Sequence, residues 1–212
     1  MPEYCEVCVN VLVEGLQRYF SDDALKRLRE ARVGIAGAGG LGSNVAAILV
    51  RSGVRRLRII DGDTVEPSNL NRQFYWPADV GTPKVTALRA RLLELEPELD
   101  CEAVAQWLEP GSAPVHFSGC DVVVEALDAA GIKASVCRRL IESGFYVVGA
   151  SGLGGYGGAK ALPMTIRTLG PSFVCVGDFT TGADYENPPL APRVMQAAAM
   201  QADVVLARIL EK

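Results

Sequence analysis

Residues 33–44 read VGIAGAGGLGSN. A short apolar run stops at a cluster of glycines, Gly37, Gly39, Gly40 and Gly42, and a helix-like stretch follows. Glycines between a strand and a helix let backbone N–H groups approach phosphates at a helix N-terminus, where the partial positive charge favours anions. The pattern predicts a strand over Arg32–Ala36 and a helix over 40–52, with Leu41, Val45, Ile48 and Leu49 on one face and Gly53 as its stop. Asp61 closes the next predicted strand, at 57–60, where a carboxylate accepts hydrogen bonds from ribose hydroxyls. A ribonucleotide site follows. The glycines alone leave NAD for hydride transfer and ATP for substrate activation equally open.

Working outward, strand and helix alternate. Thr82-Pro83 predicts a helix start that carries Val85, Leu88, Leu92 and Leu95 and closes at Pro97. Further strands are expected at 101–106, 121–126 and 146–150, with a helix over 128–143. After the glycine-rich SGLGGYGG (151–158), the stretches 160–168 and 173–176 read as antiparallel extensions, 177–192 as irregular, and 193–211 as a final helix. This predicts an α/β, Rossmann-like, mostly parallel sheet with helices on both faces and antiparallel strands added near the C-terminus. Residues 11–30 have helical apolar spacing, so 1–30 is expected to be an N-terminal helical segment of one domain spanning 1–212.

The chain has 212 residues, is 49% hydrophobic and carries a formal net charge of −4. Mixed charges without a long basic run argue against nucleic-acid binding. The start MPEYCEVC is no signal segment, and no long uncharged apolar run suggests a membrane span, so a cytoplasmic protein is expected. Cys5 and Cys8 form one CxxC that no second pair faces. His116 is the only histidine, so chemistry resting on histidine would depend on that residue; it reads as a loop or core-edge side chain.

The choice of nucleotide turns on EPSNLNRQFYWPADVGTPK (66–84). Arg72 follows the ribose aspartate in a polar loop, and Lys84 falls in the first turn of a helix, where the helix dipole disfavours a cation unless it faces an anion. Two cations beside an adenosine site suit a triphosphate whose pyrophosphate must leave. Asp128 ends the fourth predicted strand, VVVEALD, at the same edge as Gly37 and Asp61. It reads as a ligand for Mg²⁺ or as a cap for the following helix.

GAGGLGS, DGDTVEPSNLNRQF, GTPKV and the aspartate after DVVVEAL resemble the ThiF/MoeB/ubiquitin-activating enzyme superfamily from about Leu28 to the C-terminus. The segments SGLGGYGG, VGD (176–178) and LAPRV (190–194) look most like its short ThiF-like branch, associated with thiamine biosynthesis. The resemblance implies a homodimer that uses Mg-ATP to adenylate the C-terminal glycine carboxylate of a ThiS-like, ubiquitin-fold sulfur carrier protein. It implies Arg72, Lys84 and Asp128 as catalytic residues, with Asp128 holding magnesium. It also implies Gly37, Gly39, Gly40, Leu41, Gly42, Asp61, Asp63, Ser68, Asn69, Asn71, Arg72, Gln73 and Lys84 around the nucleotide. Three departures stand out. The family's two zinc-binding CxxC pairs are missing, so no structural zinc is expected; Ala129 replaces an asparagine; and Arg18, in QRYF, is the candidate for an arginine supplied to a partner subunit. Cys175 is expected to be a buried, inert thiol. The rival readings are an NAD-dependent oxidoreductase, a nucleotide-binding scaffold without catalysis, and a relative that acts on a non-protein acceptor such as tRNA.

Overall fold

The computed structural model describes residues 10–156 and 162–211. Cys5 and Cys8, and the glycines at 157 and 158, lie outside the described residues.

Two short helices, α1 (Val11–Leu16) and α2 (Asp22–Glu30), precede the sheet. Ser21 caps α2, its hydroxyl accepting from the Ala24 N–H, and Leu25 and Leu28 are the buried face. Then come β1 (Arg32–Ala36), α3 (Gly40–Arg51), β2 (Arg56–Ile60), α4 (Lys84–Leu95), β3 (Asp100–Val104), α5 (Ala113–His116), β4 (Val122–Glu125), α6 (Ala130–Glu142) and β5 (Val147–Ala150). β6 (Thr165–Thr168), β7 (Phe173–Gly177) and α7 (Ala191–Leu210) complete the chain. The sheet order is β3-β2-β1-β4-β5-β7-β6. β1 has β2 on one side and β4 on the other, both parallel, so the chain reverses its direction of travel there. That reversal opens a crevice at the carboxyl ends of β1 and β4, the place where such sheets take ligands.

The expected fold is found, with one refinement at the C-terminal edge. β6 and β7 form the antiparallel pair, but β7 itself runs parallel to β5, so only the outermost strand is reversed. The irregular segment also ends earlier than expected, because Leu190 starts the last helix with Pro192 in its first turn.

Apolar side chains pack on both faces of the sheet. One face carries α2, α3, α4 and α7 over Val33, Ile35, Leu57, Ile59 and Val124. The other carries α5 and α6 over Ala36, Ile60, Val123 and Val147. β4 is buried on both sides, which explains its unbroken VVV run. Within α7, buried Gln201 donates to the carbonyls of Glu125 and Val148 at 3.0 and 3.1 Å. Those bonds fix the helix against β4 and β5, and Val194 of its first turn then lies against Gly40.

Candidate active site

The glycine loop is shaped by three close approaches. Gly37 sits at φ +100°, and a Cβ there would lie 2.7 Å from the Ala126 carbonyl oxygen of the neighbouring strand end. A Cβ on Gly42 would lie 1.8 Å from the Gly37 carbonyl oxygen. Gly40 has Val194 at 3.0 Å. Gly39 differs: its nearest neighbour on that side is Gln73 Nε2 at 4.0 Å, so its Cα faces open space. Gly39 is the N-cap of α3 and no side chain caps the helix. Leu41 is buried in the core, so a nucleotide would meet only its backbone.

Asp61 braces this loop. Its two carboxylate oxygens accept the Ala38 N–H at 2.6 Å and the Asp63 N–H at 2.7 Å. A carboxylate offers about four acceptor positions, so it retains capacity for ribose hydroxyls. Tyr75, buried, donates its hydroxyl to the Ala38 carbonyl at 2.7 Å. Burial first, then the charges of Asp61, Asp79 and Asp63, push that phenol far above its ordinary range, so it stays a donor.

Lys84 opens α4 and is buried, and the anion it faces is a side chain: its Nζ lies 2.6 Å from Asp63 Oδ2. The expected helix start shifts by one position, with Pro83 rather than Thr82 at the cap. Arg72 is half-buried in the loop after the first 3₁₀ turn, Pro67–Asn69. It donates to the Ser68 carbonyl at 3.1 Å and to Asn71 Oδ1 at 2.8 Å. Burial holds its pKa below the ordinary guanidinium value and the Asp128 carboxylate opposes that shift, which puts Asp128 within electrostatic reach of Arg72. Asp128 is exposed, and the cap of α6 is Ala129, without a side-chain bond. The reading of Asp128 as a helix cap is therefore corrected.

The remaining expected residues divide by role. Asn69 is buried and serves its own turn, accepting the Glu66 N–H at 3.0 Å. Ser68 is exposed. Asn71 reaches the Pro189 carbonyl at 3.5 Å. Gln73 is buried beside Gly39, and its Oε1 has no hydrogen-bond partner. Arg18 is exposed on the segment after α1. His116 contacts Gln106 at the end of α5, on the opposite sheet face from α3.

The structure also supplies residues that were not foreseen. Asn44, the last letter of the stretch at 33–44, donates to the carbonyls of Gly40 at 2.6 Å and Arg72 at 2.8 Å, tying the helix start to the arginine loop. Glu125 is buried at the end of β4, accepts the Leu127 N–H at 2.8 Å and pairs with Lys133. Lys133 also donates to the Leu127 carbonyl, so this pair holds the turn that presents Asp128. A polar residue inside a helix, or a glutamate inside VVVEA, was the only sequence signal available for either.

A model of the ThiF family matches residues 14–212. An adenylyltransferase and sulfurtransferase uba4 of Aspergillus fumigatus is 35% identical over 178 residues, 81% of this chain and 34% of the relative. The tRNA threonylcarbamoyladenosine dehydratase 2 of Saccharomyces cerevisiae is 31% identical over 193 residues, 89% of this chain and 40% of the relative. The chain thus spans about a third of the uba4 relative's length. The E. coli tRNA N6-threonylcarbamoyladenosine dehydratase TcdA, solved with AMP, superposes with a TM-score of 0.82 over 93% of both chains at 20% identity.

Proposed function

Because this chain belongs to the ThiF family, we propose that it is an ATP-dependent adenylyltransferase acting in the cytoplasm as a homodimer. Its acceptor is the C-terminal glycine carboxylate of a small ubiquitin-fold sulfur carrier of the ThiS type. The carrying observation is the convergence at one sheet edge of the open Gly39 at the start of α3, the Arg72 side chain beside Gly40, and the Asp61 carboxylate bonded to the Ala38 N–H. A relative named an adenylyltransferase and sulfurtransferase, and a fold neighbour solved with AMP, support the same reading.

The chemistry asks little of proton transfer. An acceptor carboxylate oxygen bonds to the α-phosphorus, the bond to pyrophosphate breaks, and the products are an acyl-adenylate and pyrophosphate. The nucleophile is already anionic, so no general base is needed. The backbone N–H groups of Gly39, Gly40 and Leu41 cradle phosphate, Asp61 receives the ribose, and Arg72 and Lys84 hold the charge that builds on the leaving group. Lys84 has three donors and one goes to Asp63, leaving two for phosphate oxygens. Asp128 would hold Mg²⁺, which neutralises phosphate charge and takes its other ligands from phosphate and water. The exposed Asp128 carboxylate, without a capping role, fits that group.

A second reading keeps the ATP site and makes a modified tRNA nucleoside the acceptor, favoured by the relatives that are tRNA dehydratases. The net charge of −4 weighs toward the carrier. ATP–pyrophosphate exchange with magnesium, measured with Gly-Gly-ending carriers and separately with tRNA, decides between them. Exchange that needs a carrier supports the proposal; exchange that needs tRNA overturns its acceptor. Protection against heating by NAD and not by ATP overturns the nucleotide.

No acyl step through Cys137 or Cys175 is included, because burial raises the thiol pKa values of Cys137 (to about 12) and Cys175. A thiol held protonated is a poor nucleophile. Cys175→Ser is expected to leave the exchange rate within about twofold of the parent, and native protein at pH 8 is expected to take up iodoacetamide slowly at both positions.

A further inference from the structure

The sheet face that carries α6 holds an opening that the nucleotide chemistry does not use. Between α6 and the neighbouring strands β5 and β7 lies a cavity of about 550 Å³. Small side chains leave it. Gly149 and Cys175 are register partners on the two strands, and Ala130 and Ala134, one turn apart on α6, line the same space. Phe173 lies along the strand side: a Cβ on Gly149 would be 3.1 Å from its ring. Cys137 and Cys175 add to an apolar wall with Ile141, because burial keeps both thiols protonated and uncharged at neutral pH. None of the residues read around the nucleotide lines this cavity.

Its charges nearly balance, and the remainder is positive. Four charged side chains line it: Glu125, Lys133, Arg138 and Glu142. Glu125 pairs with Lys133. Glu142 pairs with Arg139, outside the cavity, at 3.7 Å. Arg138 is left, with no ion pair among the described residues. Lys133 donates to Glu125 and to the Leu127 carbonyl, which leaves one of its three N–H groups unused. Ligand pockets are commonly built in this way, apolar over most of their surface with a few polar groups that fix orientation.

We propose that the cavity binds a small organic monocarboxylate with an apolar body, the body filling the space beside α6 and the carboxylate lying against Arg138. One uncompensated positive charge matches one negative charge, and a guanidinium takes a carboxylate through two parallel hydrogen bonds. A neutral ligand of the same size leaves Arg138 to water, and a cationic one meets a like charge. Binding there involves neither ATP nor the acceptor, so its test stands apart from that of the adenylation reading.

Anilinonaphthalene sulfonate, a fluorescent monoanion with an apolar body, is the probe, used with the folded full chain. It is expected to brighten on binding, to stay bound when Mg-ATP is added, and to be displaced best by octanoate, less well by octanol and least by octylamine. Ala134→Trp, on an exposed position of the cavity wall, is expected to abolish the signal at near-parent Tm, since the indole occupies the space. Arg138→Gln keeps the length and removes the charge; it is expected to raise the octanoate Kd about 2–5-fold and leave octanol unchanged. Arg138 is exposed, so this variant decides the matter even where Ala134→Trp fails to fold. Undiminished probe binding by folded Ala134→Trp overturns the site, and so does displacement of the probe by Mg-ATP. Octanol as effective as octanoate, or octanoate binding indifferent to Arg138→Gln, overturns the assignment of an anion.

Discussion

Under the proposed function, Arg72→Ala is expected to lower carrier-dependent ATP–pyrophosphate exchange by about 10²–10³-fold, the usual cost of deleting one preorganised charge from a site where charge develops. The stability cost is expected to be small. Arg72 gives its side-chain bonds to the Ser68 carbonyl and Asn71 Oδ1, both exposed enough for water to replace it. Asp128 loses a facing charge but is itself solvated. A variant with near-parent Tm, measurable ATP binding and collapsed exchange would isolate a role in the transition state. Arg72→Lys keeps the charge without the planar fork and is expected to recover only part of the rate. A variant that exchanges at the parent's rate would remove Arg72 from the chemistry.

Gly42→Ala is the second large effect, and it falls on the fold. Alanine inside a helix is normally about 1 kcal/mol better than glycine, so the local preference is the wrong guide here. The added Cβ would sit 1.8 Å from the Gly37 carbonyl oxygen and 3.1 Å from Ile35 Cγ2. Gly37 has no room to retreat, because its N–H is bonded to the Ile60 carbonyl at 2.8 Å and its Cα faces Ala126. The clash therefore moves β1 against both neighbours. A net loss of about 2–4 kcal/mol is expected, beyond ordinary overpacking, together with loss of ATP protection. Gly39→Ala is the contrasting variant. Its Cβ meets nothing closer than 4.0 Å, so denaturant unfolding should match the parent while ATP binding weakens, because the methyl enters the space left for phosphate. Equal unfolding midpoints for Gly42→Ala and the parent would refute the packing account.

Much of the nucleotide half was readable because its signals are local. The strand-glycine-helix run at 33–44, the carboxylate after β2 and the cation at the start of α4 each announce themselves within a few residues. What was not readable is who partners whom. Lys84 is read from the sequence as facing a triphosphate, and the anion it meets in the structure is the Asp63 carboxylate, 21 positions back. Asn44 with Arg72, Glu125 with Lys133, and Asp178 with Arg193 are set by how elements pack, and single residues in mixed sequence carry no trace of it. The direction of β7 belongs to the same class. Two short apolar runs close together suggest a hairpin, and they make one, but only the sheet's order shows that β7 joins β5 in parallel.

The two hydrogen bonds that Asp61 accepts from the backbone N–H groups of Ala38 and Asp63 have a kinetic meaning as well. A loop already pinned in its working shape has little conformational freedom left to surrender when a nucleotide arrives. Capture is then a docking event rather than a folding one. The backbone at 37–42 should superpose closely between the empty and loaded protein, and the association rate should follow the ligand's charge and the ionic strength more than any slow rearrangement of the chain.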